Sequence, residues 1–172
     1  MIKKITLLST LLMTSPALLA QVCSDTVPES HFAGQFVDKH DGTIIDVKNS
    51  LVWQKCNFGE NYNELTNACD GKASDLRDWK SALEAAQTVT EFNLPNIHEL
   101  ASLVDYSCYS PSSDLSIFPT MHSSPYWSST GDFLNTNVEI KAYVIDFFDG
   151  QEVDTRLDEV KYIRLVKPLT HE

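Results

Sequence analysis

The sequence predicts an α+β fold built on an antiparallel sheet, with two helices and disulfide staples. Three observations carry this. Strand patterns come first, two helical patterns follow and strands return, without an alternating βαβ rhythm. A leader resembling an export signal precedes a stretch of single-domain length. All four cysteines, Cys23, Cys56, Cys69 and Cys108, fall after that leader.

Lys3 and Lys4 give a positive start, residues 5–13 are apolar, and residues 14–20 are mostly small, so cleavage is expected after Ala20. The apolar run is roughly ten residues, whereas about twenty are needed to cross a membrane. A lipid anchor needs a cysteine at the cut, but Gln21 and Val22 stand before Cys23. The expectation is a signal peptide over 1–20 and one domain over 21–172. The protein is expected in the periplasm, at the cell surface or outside the cell, with no membrane span. Losing Lys3 and Lys4 takes the formal net charge from −11 to −13, which argues against nucleic acid and anionic membranes as partners.

Export places the cysteines where disulfides persist. Three connectivities are open. Cys56 and Cys69 bracket a short Asn- and Gly-rich loop, so a local bridge there is favoured, leaving Cys23 for Cys108. Closing such a small loop is worth on the order of 3 kcal/mol in the chain-entropy model. A metal site is not expected, because no Cys-x-x-Cys spacing exists and the histidines are scattered.

Residues 34–55 read as consecutive hairpins. Asp41-Gly42 marks one turn, residues 43–47 a strand, Asn49-Ser50 a second turn and residues 51–54 another strand. The Asn-rich cysteine loop follows. The first helix is expected after Asp78 as cap, with Trp79, Ala82, Leu83 and Ala86 on one stripe. The second is expected after Asn96, with Glu99 completing a capping box and Ile97, Leu100, Ala101 and Val104 on its stripe. Residues 108–125, rich in serine and proline, predict an irregular connection. A strand over 141–148 turns at Asp149-Gly150 into 151–156, and 161–167 makes the last strand. The first and last strands are expected to pair in one sheet.

Catalytic motifs fail on inspection. His98-Glu99 opens like the zinc-protease motif His-Glu-x-x-His, but Ser102 stands where the second histidine belongs. No serine sits in a Gly-x-Ser-x-Gly elbow, and phosphate-cradling loops are missing, so no cofactor is expected. Residues 38–42 superficially resemble a calcium loop, yet the ligand positions and the distal glutamate do not fit. Asp146, Asp149 and Glu152 around the last hairpin offer a carboxylate pair for hydrolysis, with solvated turn residues as the simpler account. The remaining candidate surface is Tyr126, Trp127, Asp132, Asn135 and Asn137, where aromatic faces and amides suit a sugar ring. Burial of Trp127 in the core is the competing account.

Several stretches in order carry a family likeness: 36–38 through 41–46, Leu51-Val52-Trp53-Gln54-Lys55-Cys56, Leu94-Pro95-Asn96-Ile97-His98-Glu99-Leu100, Tyr126-Trp127-Ser128-Ser129, and Tyr162-Ile163-Arg164-Leu165-Val166. Together, over about 36–167, they resemble the Lcl C-terminal domain family, named after the C-terminal part of the Legionella collagen-like adhesin. The resemblance implies a C-type-lectin-like α+β fold in exported bacterial proteins, without established catalytic residues. It also implies adhesion, since that adhesin is trimeric and binds sulfated glycosaminoglycans. This chain departs in carrying no Gly-x-y repeat, in having Phe92-Asn93 where the family commonly shows Trp-Arg, and in its strong negative charge. The expected role is a non-catalytic binding or adhesion module whose partner is a carbohydrate or a cell-surface protein. The alternatives are an assembly subunit of an envelope or extracellular complex, then a hydrolase using the acidic hairpin.

Overall fold

A computed structural model describes residues 21–133 and 140–170. The expected signal peptide and the candidate ligand residues Asn135 and Asn137 lie outside the described residues. The chain forms β1 (Val22–Cys23), β2 (Phe36–Asp38), β3 (Thr43–Asp46), β4 (Leu51–Gln54), β5 (Glu60–Asn63), β6 (Ala68–Gly71), α1 (Trp79–Gln87), α2 (Ile97–Ala101), β7 (Cys108–Tyr109), β8 (Pro125–Asp132), β9 (Lys141–Asp146), β10 (Gln151–Arg156) and β11 (Val166–Pro168). It is mostly β structure with two short helices and two disulfides, Cys23–Cys108 and Cys56–Cys69.

The expected single sheet is instead two larger sheets, beside the two-stranded pairs β1-β7 and β5-β6. One is ordered β11-β4-β3-β2 and the other β10-β9-β8, each antiparallel throughout. The first and last strands do not pair, since β2 and β11 occupy opposite edges of one sheet. The reason is register: Val166 faces Trp53, which seats β11 against the buried strand β4. The last strand is also shorter than its alternating pattern suggested. Residues 161–165 instead run as a seam between the sheets. Trp127 N–H donates to the Tyr162 carbonyl at 2.9 Å, and Gln54 N–H donates to the Leu165 carbonyl at 3.0 Å. The Asn-rich cysteine loop folds as the β5–β6 hairpin with Tyr62 opposite Cys69.

Helix α1 begins as expected, with the Asp78 carboxylate accepting from Ser81 N–H at 2.6 Å and Ala82 and Ala86 buried. Helix α2 has the full Asn96/Glu99 capping box but stops after five residues. Its apolar stripe continues in tighter turns: Leu103 N–H reaches the Leu100 carbonyl and Val104 N–H the Ala101 carbonyl, each three residues back. The pattern Leu100, Leu103, Val104 stays buried without the helix that the spacing predicted.

Two apolar clusters result. One gathers Ile44, Trp53, Leu100, Leu103, Phe118, Tyr126 and Phe147. The other gathers Leu76, Ala82, Leu94, Trp127, Val144, Ile163 and Leu165 under α1. Neighbouring residues of β8 therefore serve different clusters, Tyr126 one and Trp127 the other, as strand alternation requires when both faces are covered.

Candidate functional site

The hairpin turn before β3, the end of β4, the cysteine hairpin and the chain after α1 meet around a half-open cleft of about 500 Å³. Its aromatic lining is Phe58, Tyr62 and Phe92, all half-buried, and its amides are Gln54, Asn57 and Asn61. Asp41 and Glu60 are its carboxylates, and no Lys, Arg or His is among the described residues that line it.

Local chemistry builds each wall. Gly42 sits at φ +87°, and a Cβ there would meet the Tyr62 ring at 3.0 Å, so the turn and the ring are in direct contact. Gly59 sits at φ +94°, and a Cβ there would lie 2.7 Å from the Ser74 backbone nitrogen. Only glycine lets the cysteine hairpin approach that closely. A clasp fixes the hairpin's far end. Lys55 Nζ donates to Asp38 Oδ2 at 2.7 Å and Asn67 Oδ1 at 2.7 Å, while the Tyr62 hydroxyl donates to the same Asn67 oxygen at 2.7 Å. Burial, then Asp38 and Asp41, push the Tyr62 hydroxyl upward from its ordinary value, keeping it neutral.

Asp38 gives this clasp a pH signature. Burial pushes its pKa up, but hydrogen bonds from Lys55, Asn67 and the His40 N–H, with the Lys55 charge, outweigh that and hold it at about 2. Its folded value lies below its unfolded value of 3.8, so the stabilisation is present above pH 4 and is lost as pH falls towards 2. A shift of this size corresponds to about 2 kcal/mol. Asp38→Asn is expected to flatten the acid limb of stability between those pH values, measured by urea unfolding across pH. An unchanged acid limb would place the titrating group elsewhere.

The floor of the cleft is a buried network. The Asn57 side chain accepts from the Tyr126 hydroxyl at 2.9 Å and from Arg164 Nη2 at 2.7 Å, and it donates to the Thr120 carbonyl. Glu60 Oε2 accepts from Asn57 N–H at 2.8 Å and from the Thr120 hydroxyl at 2.7 Å. Asn57 and Glu60 are thereby committed inward. Among the described residues, the Gln54 and Asn61 side-chain amides have no hydrogen-bond partner, so they remain available to a ligand. Cys56, Glu60 and Cys69 bring potential metal-binding atoms within 4.8 Å of one another. The two cysteines are bonded to each other, however, so neither offers the thiolate a metal would need.

The structure does not assemble the site expected at Tyr126, Trp127, Asp132, Asn135 and Asn137. Tyr126 and Trp127 both have zero exposure, so neither ring can stack on a ligand from solvent. The covered faces of β8 are the cause. Asp132 is at the end of β8 opposite Lys141, away from both rings' clusters. Tyr126 nevertheless contributes from beneath, because its hydroxyl positions Asn57. The acidic hairpin is also occupied: Asp146 accepts from Phe148 N–H at 2.9 Å, and Asp149 accepts from the Gln151 amide at 2.8 Å. Phe58, Asn61 and Phe92 were not selected by sequence reasoning. Their only signal there was aromatic and amide residues crowded near a disulfide loop.

Compared with known families, residues 42–167 match the model of the Lcl C-terminal domain. No curated protein matches the chain.

Proposed function

The chain belongs to the Lcl C-terminal domain family, and from that premise we propose that it is an exported, non-catalytic binding module. In this reading the cleft beside the Cys56–Cys69 hairpin takes a neutral, hydroxyl-rich ligand such as a pyranose ring. The observation that carries it is the described lining: three aromatic side chains and two uncommitted amides, with no uncommitted cation among the described residues. Aromatic faces cover the apolar C–H faces of a sugar, while amides exchange hydrogen bonds with hydroxyls. The nearest cations are committed, Lys55 to Asp38 beside Tyr62 and Lys167 to Glu91 beside Phe92. A sulfated polymer therefore finds no uncommitted counter-charge in the described lining, and the acidic chain as a whole repels it. The two disulfides suit an oxidising compartment. The C-type-lectin-like architecture of the family fits two short helices on antiparallel sheets.

The test is binding of residues 21–172 to immobilised neutral and sulfated oligosaccharides. Neutral glycans are expected to be retained in preference. Asn61→Ala and Phe92→Ala are each expected to weaken binding about tenfold, or about 1.4 kcal/mol. No retention of any neutral glycan, or variants that bind like the parent, would count against the cleft.

One observation favours assembly as a second reading. Tyr106, Tyr109 and Phe148 lie exposed near the β1–β7 pair, with the Tyr109 and Phe148 rings 6.5 Å apart. Aromatic groups of this kind are enriched in protein interfaces. Crosslinking from position 106 in the native setting should then yield one stoichiometric protein partner.

A further inference from the structure

The segment before β2 folds back over the molecule as a strap. The Cys23–Cys108 disulfide and the β1–β7 pair pin it, and Ser24 N–H donates to the Ser107 carbonyl at 2.8 Å. The Gln21 carboxamide donates to the carbonyls of Pro111 and Ser113 at 2.7 and 2.6 Å. Between strap and body lies a cavity of about 710 Å³ that shares no lining residue with the aromatic cleft.

The cavity wall is chemically one-sided. Asp25, Glu29, Asp105 and Asp114 line it, and no Lys or Arg is among the described lining residues. Burial pushes the Asp105 carboxyl up, but N–H donors of Ser107 and Ser30 and the nearby His31 outweigh it, so it is held below the usual range and stays charged. Acidic groups alone would be unremarkable in so acidic a chain. Two buried atoms supply independent evidence. Ser113 has zero exposure, lines the cavity, and its hydroxyl has no hydrogen-bond partner among the described residues. His31 also lines it, and its Nε2 donates to the Ser102 carbonyl at 2.9 Å. That bond uses Nε2, and Nδ1 too is buried without a partner among the described residues. Buried polar atoms are rarely left unpaired. The Ser113 hydroxyl can accept a hydrogen bond, and the carboxylates around it are negatively charged.

We propose that this cavity binds an organic cation through its ammonium group. A primary ammonium brings three N–H donors, suited to the Ser113 hydroxyl and the carboxylates. A metal ion fits less well, because among the described residues the only convergent ligand group is Cys56, Glu60 and Cys69, outside this cavity. The ammonium could belong to a free amine or to a lysine side chain of a partner.

The experiment is nuclear magnetic resonance titration of residues 21–172. The probes are putrescine, the neutral diol of equal length, a short lysine peptide and the same peptide with its lysine acetylated. Saturable shifts at His31 and Ser113 are expected with putrescine or the lysine peptide and not with the neutral counterparts. A stronger response to putrescine assigns a free amine, and a stronger response to the peptide assigns a partner's lysine. Binding should weaken as salt is raised. Ser113→Ala removes a hydroxyl without a partner, so its fold should hold, and Asp25→Asn with Glu29→Gln alters only the exposed strap. Each is expected to weaken binding about tenfold. Asn61→Ala in the cleft should leave it unchanged. Equal response to amine and diol, no response to either amine, or full affinity in both the Ser113 and strap variants would overturn the proposal.

Discussion

Trp127→Ala is expected to lower the unfolding free energy by about 3–5 kcal/mol, measured by urea denaturation, the range for truncating a fully buried aromatic residue. Against a typical total of about 5–15 kcal/mol, that leaves a small margin. Trp127 has zero exposure and is packed among Leu76, Ala82, Leu94, Val144, Ile163 and Leu165, side chains from five separate stretches of the chain. The Lys161 ammonium lies 5.1 Å from the ring centre while it pairs with Glu159 at 2.6 Å, so the charged group caps the ring's outer side. The indole N–H has no acceptor among the described residues. Trp127→Phe therefore sacrifices no hydrogen bond and is expected to lose less than half as much stability. A Trp127→Ala variant with parental stability but no glycan binding would restore the ring to the ligand surface and refute the core assignment.

Tyr126 and Trp127 also show where the sequence was legible and where it was not. Strand β8, whose last residues read as a polar loop, could not be anticipated, whereas β3 and β4 could be, from the Asp41-Gly42 turn and the alternation around it. These are local effects: turn chemistry and period-two patterning act within a few residues. The helix starts at Asp78 and Asn96 were legible for the same reason. What covers each face of a strand is not local. The Trp127 side of β8 is closed by α1 and residues 161–165, whose arrival depends on contacts across the whole chain. The division into two sheets was likewise hidden, because the alternation of 161–167 is identical for a strand and for a seam between sheets. The cleft was the least legible feature. Its residues span 41–92, and they are brought together by the Cys56–Cys69 hairpin, its Lys55–Asp38–Asn67 clasp and the Asn93–Val166 pairing that seats the chain after α1.

Arg164→Met is expected to cost about 3 kcal/mol and also to weaken ligand binding at the cleft under conditions where the variant is still folded. The side chain is wholly buried in the seam between the sheets. One terminal nitrogen, Nη1, donates to the Gln54 carbonyl at 2.8 Å and to the Lys55 carbonyl, and the other donates to Asn57 at 2.7 Å. The guanidinium lies 4.9 Å from the Phe118 ring centre. Burial lowers its pKa, and Tyr126 and Glu60 partly offset that effect, so the charge is held by neutral acceptors and an aromatic face without a carboxylate hydrogen bond. Desolvating such a group costs several kcal/mol. Three charge-assisted hydrogen bonds, at about 1.5–3 kcal/mol each, are enough to offset it. Methionine removes the charge and fills part of the volume, but it strands two carbonyls at the end of β4, each costing about 1–3 kcal/mol. It also frees Asn57, which forms the cleft floor. Arg164→Lys should not rescue either property, because a single ammonium cannot reproduce the fork that reaches all three acceptors. Parental stability in Arg164→Met, with binding alone lost, would mean that desolvation cancels the three bonds and that this arginine serves chiefly to place Asn57.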